Sequence, residues 1–402
     1  MSSESILDQI LSNQKAEQVA ELDAVEIIND LFGELTEREK DVVIKRHGLH
    51  GREKETLESI GQAHNLTRER IRQIETHSIN KLQQLKNVDV YIKTLKKVIS
   101  QLLEEHGGIM EKDYLLSILA VFSLNGFGKT GEEEIIHKNY LNFLITKLLF
   151  NEFEEINSSK YFKNSYKLKH KVLDDFEKII EELLGKIKEA KTVHRTEELI
   201  KLINSLESYN NNTEKFAVEN NLDISRVLGS DFFEENGDLI NNNKVLYSIL
   251  KAAKKIEQNK FGHWGMHNWH QIKPKTINDK ICLVLKNYNR PMHFEKIAEK
   301  INSINFDKKK ANAATVHNEL ILDNKYVLIG RGIYSLKEWG YKDGTVVDVI
   351  IDIMAGSDEP ISREEIIDKV LEKRLVKKAT IILALMNKDK FAKINGKYIL
   401  KN

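Results

Sequence analysis

Apolar residues recur every three or four positions along the stretch from Thr56 to Leu85, which is the period of an amphipathic α-helix. The pattern breaks at residues 64–66, so the stretch predicts two helices joined by a tight turn. Thr67 is placed to cap the second helix, because its side-chain oxygen can accept a hydrogen bond from a free backbone N–H of the first turn. This arrangement is a helix-turn-helix. Its predicted inward positions are Leu57, Ile60, Ala63, Ile71, Ile74, Ser78 and Leu82.

The second helix begins with polar side chains on its outer face. They are Arg68, Glu69, Arg72, Gln73 and Thr76. In the DNA major groove, arginine donates two hydrogen bonds to guanine, glutamine pairs with adenine, and a carboxylate accepts from cytosine. A charged helix face is most often only solvated. Here the preceding helix, the break and the clustering of these groups at one end favour contact with DNA.

The sequence TLESIGQAHNLTRERIRQIETHSINKL, which starts at Thr56, closely resembles the promoter-reading helix-turn-helix of sigma-70 family initiation factors, called region 4. The preceding LTEREKDVVIKRHGL, Leu35 to Leu49, resembles the first half of the same domain. In the family, that half docks on the flap of the RNA polymerase beta subunit. The family pattern is altered at residues 64, 65 and 77, and these departures bear on the preferred base sequence.

This resemblance implies roles for individual residues. Base readers of the minus-35 promoter element would be Arg68, Glu69, Arg72 and Gln73. Phosphates would be held by Thr56, Arg70 and Lys81. Docking on polymerase would fall to Leu35, Val42, Val43 and Arg46. The implied partners are double-stranded promoter DNA and the RNA polymerase core, with the beta flap as the contact.

A repeat follows this domain. Residues 274–342 and 343–402 each predict a helix, a proline-marked turn, a short helix, a longer helix and a glycine-turned hairpin, and Pro291 and Pro360 fall at the same step. This is the order of a winged helix. A third copy is predicted at residues 89–170.

A degenerate fourth copy is predicted at residues 171–260. Its predicted helices and wing are Asp175–Ala190, His194–Leu206, Thr213–Val227 and a wing at Asp231–Leu246. The following residues 261–273 contain three His and two Trp, and they predict an aromatic clasp between two domains. A zinc site would need a thiol or carboxylate beside the histidines, and none accompanies them, so we expect no metal.

The stretch VHNELILDNKYVLIGRGIYSLKEWGY, Val316–Tyr341, resembles the HARE-type winged helix of the bacterial RNA polymerase delta subunit. Arg331 lies between Gly330 and Gly332 at the predicted wing tip, where a guanidinium could reach a phosphate or a minor groove. Equally, the two glycines could serve only the turn and leave Arg331 solvated. Other basic candidates for wing contacts are Lys377 and Lys378, with Lys308, Lys309, Lys310, Lys373 and Arg374 beside them.

The chain has 402 residues and a formal net charge of +1, so DNA contact must come from local patches. Its single cysteine, Cys282, excludes an intrachain disulfide and fits a reducing cytoplasm. The longest apolar run, Tyr114–Leu124, is too short to span a bilayer. We therefore expect a cytoplasmic protein without membrane contact.

We find no pattern typical of an enzyme. No serine or cysteine nucleophile accompanies a credible base, and the carboxylates at Glu132–Glu134 belong to a charged helix. The GFGKTG sequence, Gly126–Gly131, lacks the preceding strand and the Lys-Ser/Thr pair of a phosphate-binding loop, and it predicts an insertion. We expect neither catalysis nor a cofactor.

The sequence predicts a mainly α protein, a helix-turn-helix domain followed by tandem winged-helix domains with short β-hairpin wings. The expected domains are 1–30 (amphipathic helices), 31–88 (helix-turn-helix), 89–170, 171–260, 261–273 (linker), 274–342 and 343–402. The leading interpretation is a sequence-specific DNA-binding factor of transcription initiation, an auxiliary or partial sigma-like factor. The alternatives are a delta-like structural subunit of RNA polymerase and a free DNA-binding repressor.

Overall fold

The computed structural model describes residues 22–86, 88–124, 131–228, 232–341, 344–357 and 359–401. The described chain is mainly helical, with small antiparallel sheets. Residues 1–21 of the predicted N-terminal helices lie outside it, as does the insertion loop up to residue 130. Two compact units divide the chain: one runs through Gln258 and includes Gly262–His267, and the other contains Asn259–Phe261 and the chain from Asn268 onward.

Four helices form the first part of the chain. They are α1 (Ala24–Phe32), α2 (Glu37–His47), α3 (Leu57–His64) and α4 (Arg68–Gln83). Val42, Ile60 and Ile71 form the centre of the core between α2, α3 and α4. The predicted helix-turn-helix is therefore confirmed, with Thr67 as the cap of α4.

One inward position was wrong. Ala63 is exposed, and Gly61 is buried instead. The turn after α3 folds back over Gly61, where an added Cβ would lie 2.7 Å from the Leu66 carbonyl oxygen. Asn65 makes this turn in the left-handed conformation, with φ of 55°. The side chain of Leu66 then packs against the core that Ala63 was expected to fill.

The first winged-helix unit follows. Its elements are α5 (Val88–Glu105), β1 (Ile109–Glu111), α6 (Lys112–Ser123), α7 (Gly131–Phe143), β2 (Phe153–Ile156) and β3 (Ser165–Leu168). A π-helical turn, Leu144–Leu148, continues α7. The order is the one that the repeat predicted.

The second unit corrects the sequence prediction. Its elements are α8 (Asp174–Ala190), α9 (Thr196–Asn204), α10 (Glu207–Asn210), α11 (Thr213–Phe216), α12 (Gly237–Asn242), α13 (Lys244–Ala252), β4 (Ile256–Gln258) and β5 (Trp264–Met266). The wing predicted at Asp231–Leu246 is wrong, because α12 and the start of α13 occupy that stretch. The predicted helix Thr213–Val227 ends at Phe216.

The wing of the second unit is the β4–β5 hairpin, in which Gln258 pairs with Trp264. Trp264 is fully buried, and its Nε1 donates to Thr196 Oγ1 at 2.9 Å. This half of the predicted aromatic clasp is therefore part of the second unit's core.

The third and fourth units match the predicted repeat. The third contains α14 (Ile277–Tyr288), β6 (Met292–His293), α15 (Phe294–Ile304), α16 (Ala313–Leu322), β7 (Tyr326–Gly330) and β8 (Ile333–Leu336). The fourth contains α17 (Val346–Ala355), α18 (Arg363–Lys373), α19 (Lys378–Leu385), β9 (Phe391–Ile394) and β10 (Lys397–Leu400).

A shared backbone pairing identifies all four units as copies of one topology. In each, a residue between the first two helices pairs with the second strand of the wing. The pairs are Met110 with Tyr166, His194 with Trp264, Met292 with Tyr334, and Ile361 with Tyr398. Because this pairing joins distant parts of each unit, it closes the sheet edge against the helices. No helix within the described ranges has both the length and the apolar run that a membrane crossing requires.

Candidate nucleic-acid interface

Helix α4 presents its first turns to solvent. Thr67 Oγ1 accepts from the Arg70 backbone N–H at 3.2 Å, which fixes where the helix begins. Ile71, Ser78 and Leu82 are buried on the inner face. The predicted readers are all exposed on the outer face: Arg68, Glu69, Arg72 and Gln73. One surface near the helix N-terminus therefore carries two guanidinium groups, a carboxylate and an amide.

Three of these four groups have partners on α4 itself. Arg72 Nη2 lies 2.7 Å from Glu69 Oε1, and this hydrogen bond lowers the pKa of the Glu69 carboxyl. Arg70 Nη1 donates to Gln73 Oε1 at 3.1 Å. Within the described residues, Arg68 makes no hydrogen bond or ion pair. Exposed pairs of this kind are weak, so DNA can replace them at little cost.

The residues expected at phosphates differ in their freedom. Thr56 is exposed, and its hydroxyl oxygen accepts from the Ser59 backbone N–H at 3.1 Å, which leaves its O–H free to donate. Arg70 is exposed on α4. Lys81 is half-buried, and its Nζ lies 3.6 Å from Glu39 Oε2 on α2. A phosphate at Lys81 would therefore compete with a carboxylate.

The segment expected to dock on polymerase is mostly internal. Leu35, Val42 and Val43 are buried, and they hold α2 against its neighbours. Arg46 is half-exposed and donates to the Glu55 backbone oxygen at 3.2 Å. Any docking surface on this segment must therefore be formed by its exposed residues, which include Arg38.

The carboxyl end of α2 is covered by α7 of the first winged-helix unit. Asn139 Nδ2 donates to the Gly48 carbonyl oxygen at 2.9 Å, and the Tyr140 hydroxyl lies 2.7 Å from His50 Nδ1. The Phe143 ring packs edge-on against Phe32, with 6.1 Å between ring centroids. The helix-turn-helix and the first winged helix therefore share one core. Sequence analysis missed this interface, although the aromatic residues of α7 were a signal.

Two of the three departures from the family pattern have a structural explanation. His64 Nε2 lies 2.7 Å from Asp41 Oδ2, which ties α3 to α2. Asn65 supplies the left-handed turn. His77 is 73% exposed on the recognition helix, so it alone of the three is available to DNA.

Candidates in the later units are placed as follows. Arg331 is exposed at the β7–β8 turn, where Gly332 has φ of 70° and lies against His293. Lys377 and Lys378 are exposed at the start of α19. Arg374 is only 5% exposed, and it donates to the backbone oxygens of Leu328 and Gly344. Its interpretation as a surface cation was therefore wrong: it joins the third and fourth winged helices.

The histidines after residue 260 do not form a metal centre that the structure displays. His270 Nδ1 lies 3.0 Å from Asp279 Oδ2, at the start of α14. Among the described residues, no group of three or more His, Cys, Asp or Glu side chains is arranged to hold a metal ion.

Comparison with known proteins places the first domain. Residues 31–84 match the family described as Sigma-70, region 4. RNA polymerase sigma factor RpoS of Coxiella burnetii is 45% identical over 73 residues, which are 18% of this chain and 20% of that protein. Sigma factor SigA of a Bacillus species is 38% identical over 84 residues, 20% of this chain and 22% of that protein.

The principal sigma factor HrdD of Streptomyces griseus is 40% identical over 60 residues, 15% of this chain and 18% of that protein. The chain thus spans about a fifth of the length of these curated relatives. No solved structure gives a significant match. The HARE-type and delta-subunit resemblance of 274–342 stays a prediction. Residues 31–84 are a sigma-70 region 4 helix-turn-helix.

Proposed function

We propose that this protein binds promoter DNA at a specific sequence and acts at transcription initiation. The observation that carries the proposal is the exposed cluster Arg68, Glu69, Arg72 and Gln73 on α4, within the segment that matches sigma-70 region 4. In the proposed complex the first turns of α4 lie in the major groove. Thr56, Arg70 and Lys81 hold the flanking phosphates and so fix the register of α4 on the base pairs.

The role of a polymerase partner follows from the same match. The matching relatives are named RNA polymerase sigma factors, and we propose that this chain also contacts the polymerase core. Because α7 covers the carboxyl end of α2, the contact surface on this segment is the exposed side that includes Arg38. We propose an auxiliary or partial sigma-like factor, since the match is limited to region 4. Arg331, Lys377 and Lys378 are proposed as supporting contacts.

Base readout is tested with the purified full chain and two duplexes, one containing a minus-35 element and one scrambled. The double variant Arg68→Ala/Gln73→Ala should lose about 1 to 3 kcal/mol of preference for each bidentate contact removed. A matched control is Arg38→Ala/Gln84→Ala, which removes the same residue types at exposed positions away from the cluster. An unchanged affinity ratio in the Arg68/Gln73 variant would contradict the proposal.

Polymerase contact is tested by co-migration of the chain with core RNA polymerase from its own cell on a sizing column. Binding should weaken in Arg38→Glu and persist in Arg68→Ala/Gln73→Ala. The two experiments together separate the three interpretations. Polymerase binding without base preference would favour a delta-like subunit, and base preference without polymerase binding would favour a free repressor.

A further inference from the structure

The fourth winged helix has an uneven distribution of charge. Residues 377–401 contain seven lysines and a single acid, Asp389. The lysines are Lys377, Lys378, Lys388, Lys390, Lys393, Lys397 and Lys401. Residues 344–372, by contrast, contain eight acids and two basic residues. One half of this small domain is therefore strongly cationic on a chain whose net charge is +1.

The seven lysines are all exposed, and none of them forms an ion pair with another described residue. The two basic residues of the acidic half do form such pairs: Lys369 Nζ lies 2.9 Å from Glu365 Oε1, and Arg363 Nη2 lies 3.3 Å from Glu364 Oε1. Clustered and unpaired cations repel one another, and a polyanion would relieve that repulsion.

The cationic residues follow two adjoining elements, the third helix and the wing. Lys377 and Lys378 begin α19. Lys393 and Lys397 flank the tip of the β9–β10 hairpin, where Lys393 is paired with Tyr398. At the base of the hairpin the Lys401 backbone N–H donates to the Lys390 oxygen at 2.9 Å. The hairpin pairing therefore holds the wing lysines in fixed relative positions.

Helix α19 lacks the side chains that read bases. Its exposed residues after the first turn are Thr380, Leu383 and the adjoining Met386, and only Thr380 carries a hydrogen-bonding group. Helix α4, by contrast, exposes arginine, glutamate and glutamine. Lysine is a compact point charge that suits a phosphate oxygen, without the planar fork that arginine offers to guanine. The surface thus has charge for a phosphate backbone and no means of base selection.

We infer that α19 and the β9–β10 wing form a second DNA-binding surface, which holds the phosphates of double-stranded DNA without regard to sequence. The choice of DNA as the polyanion rests on the proposed function of the first domain. The cationic surface itself does not. A contact of this kind would add affinity and leave the choice of site to α4.

The test is a titration of the full chain against a scrambled duplex between 50 and 200 mM salt, followed by fluorescence anisotropy. Each lysine that contacts a phosphate contributes about 0.9 to the slope of log affinity against log salt. The variant Lys377→Ala/Lys378→Ala/Lys393→Ala/Lys397→Ala should therefore bind more weakly and lower the slope by up to about 4. The matched control is Lys93→Ala/Lys97→Ala/Lys188→Ala/Lys201→Ala, which removes the same charge from exposed lysines elsewhere.

The inference is overturned if the two quadruple variants have the same affinity and slope. It is also overturned if the wild-type chain prefers single-stranded RNA to the duplex. Failure of the first-domain proposal is seen separately, as an unchanged ratio of minus-35 to scrambled affinity in Arg68→Ala/Gln73→Ala. That double variant should keep most of its binding to the scrambled duplex, and the lysine variant should keep its affinity ratio.

Discussion

Helices α4 and α7 are each the last helix of a three-helix arrangement, yet their outer faces differ. The outer face of α4 is polar and exposed at its start, from Arg68 to Gln73. In α7, Tyr140 and Phe143 are each only 1% exposed, because they pack against the region 4 domain. The same element is available to DNA in one domain and serves as a docking helix in the other.

The comparison teaches that a winged-helix topology does not by itself assign DNA binding. Helix α16 makes the same point, since it contains no lysine or arginine and leaves Ile321 and Leu322 largely exposed. Helix α19 differs again, with lysines at its start and none of the groups that read bases. Function must therefore be argued for each third helix from its own exposed side chains.

The largest effect should come from removing the aromatic anchor of α7. Phe143→Ala deletes a buried ring between Phe32 and His47 and should cost about 3 to 5 kcal/mol of stability, because a cavity remains. Urea unfolding followed by circular dichroism measures the loss. Phe150→Ala is the control, since Phe150 is 51% exposed. Equal midpoints for the two variants would mean that α7 does not anchor the region 4 domain.

An intermediate effect is expected from pH. Burial lowers the pKa of His50, at the α7 contact, and of His137, on α7 itself. A histidine whose pKa is lower in the folded state binds fewer protons there than when unfolded. Stability is therefore complete above the unfolded pKa of about 6.5 and is lost as the pH falls below it.

The urea midpoint should accordingly fall between pH 7 and pH 5. The variant His50→Gln/His137→Gln should show a smaller fall, because it removes the two groups that gain protons on unfolding. His106, which is fully buried and has its pKa lowered to about 3 by burial, titrates in both proteins and cancels in the comparison. A pH profile identical in the two proteins would show that the α7 contact is not acid-sensitive.

The smallest effect should come from one carboxylate of α4. Glu69→Gln removes the partner of Arg72 and a negative charge near DNA, so affinity for a scrambled duplex should rise slightly, most of all at low salt. Preference at the base pair that Glu69 faces should decrease. Glu58→Gln, an exposed glutamate on α3, is the matched control. A change in base preference with the control and not with Glu69→Gln would place the readout on α3.

Local features of this fold could be predicted from the sequence, and long-range ones could not. The Thr67 cap and the buried Ile71 and Leu82 follow from spacing within one helix. The wing of the second unit depends on the pairing of His194 with Trp264, two residues far apart in the chain. Periodicity carries no information about such a partner, and so the wing was placed too early.

The same limit applies to the candidate sites. Arg374 belongs to a basic run in the sequence, but the carbonyl oxygens that bury it come from Leu328 and Gly344. The exposed readers of α4 were predictable, because their positions follow from the helix period and the buried stripe. The pairing of Glu69 with Arg72 follows from i, i+3 spacing as well.

The central claim is that α4 selects the DNA sequence. The most direct measurement is selection from a library of random duplexes by the full chain, with sequencing of the bound fraction. Our proposal predicts one enriched motif that is lost in Arg68→Ala/Gln73→Ala and kept in the variant lacking Lys377, Lys378, Lys393 and Lys397. No enriched motif with the wild-type chain, or the same motif with the Arg68/Gln73 variant, would contradict it.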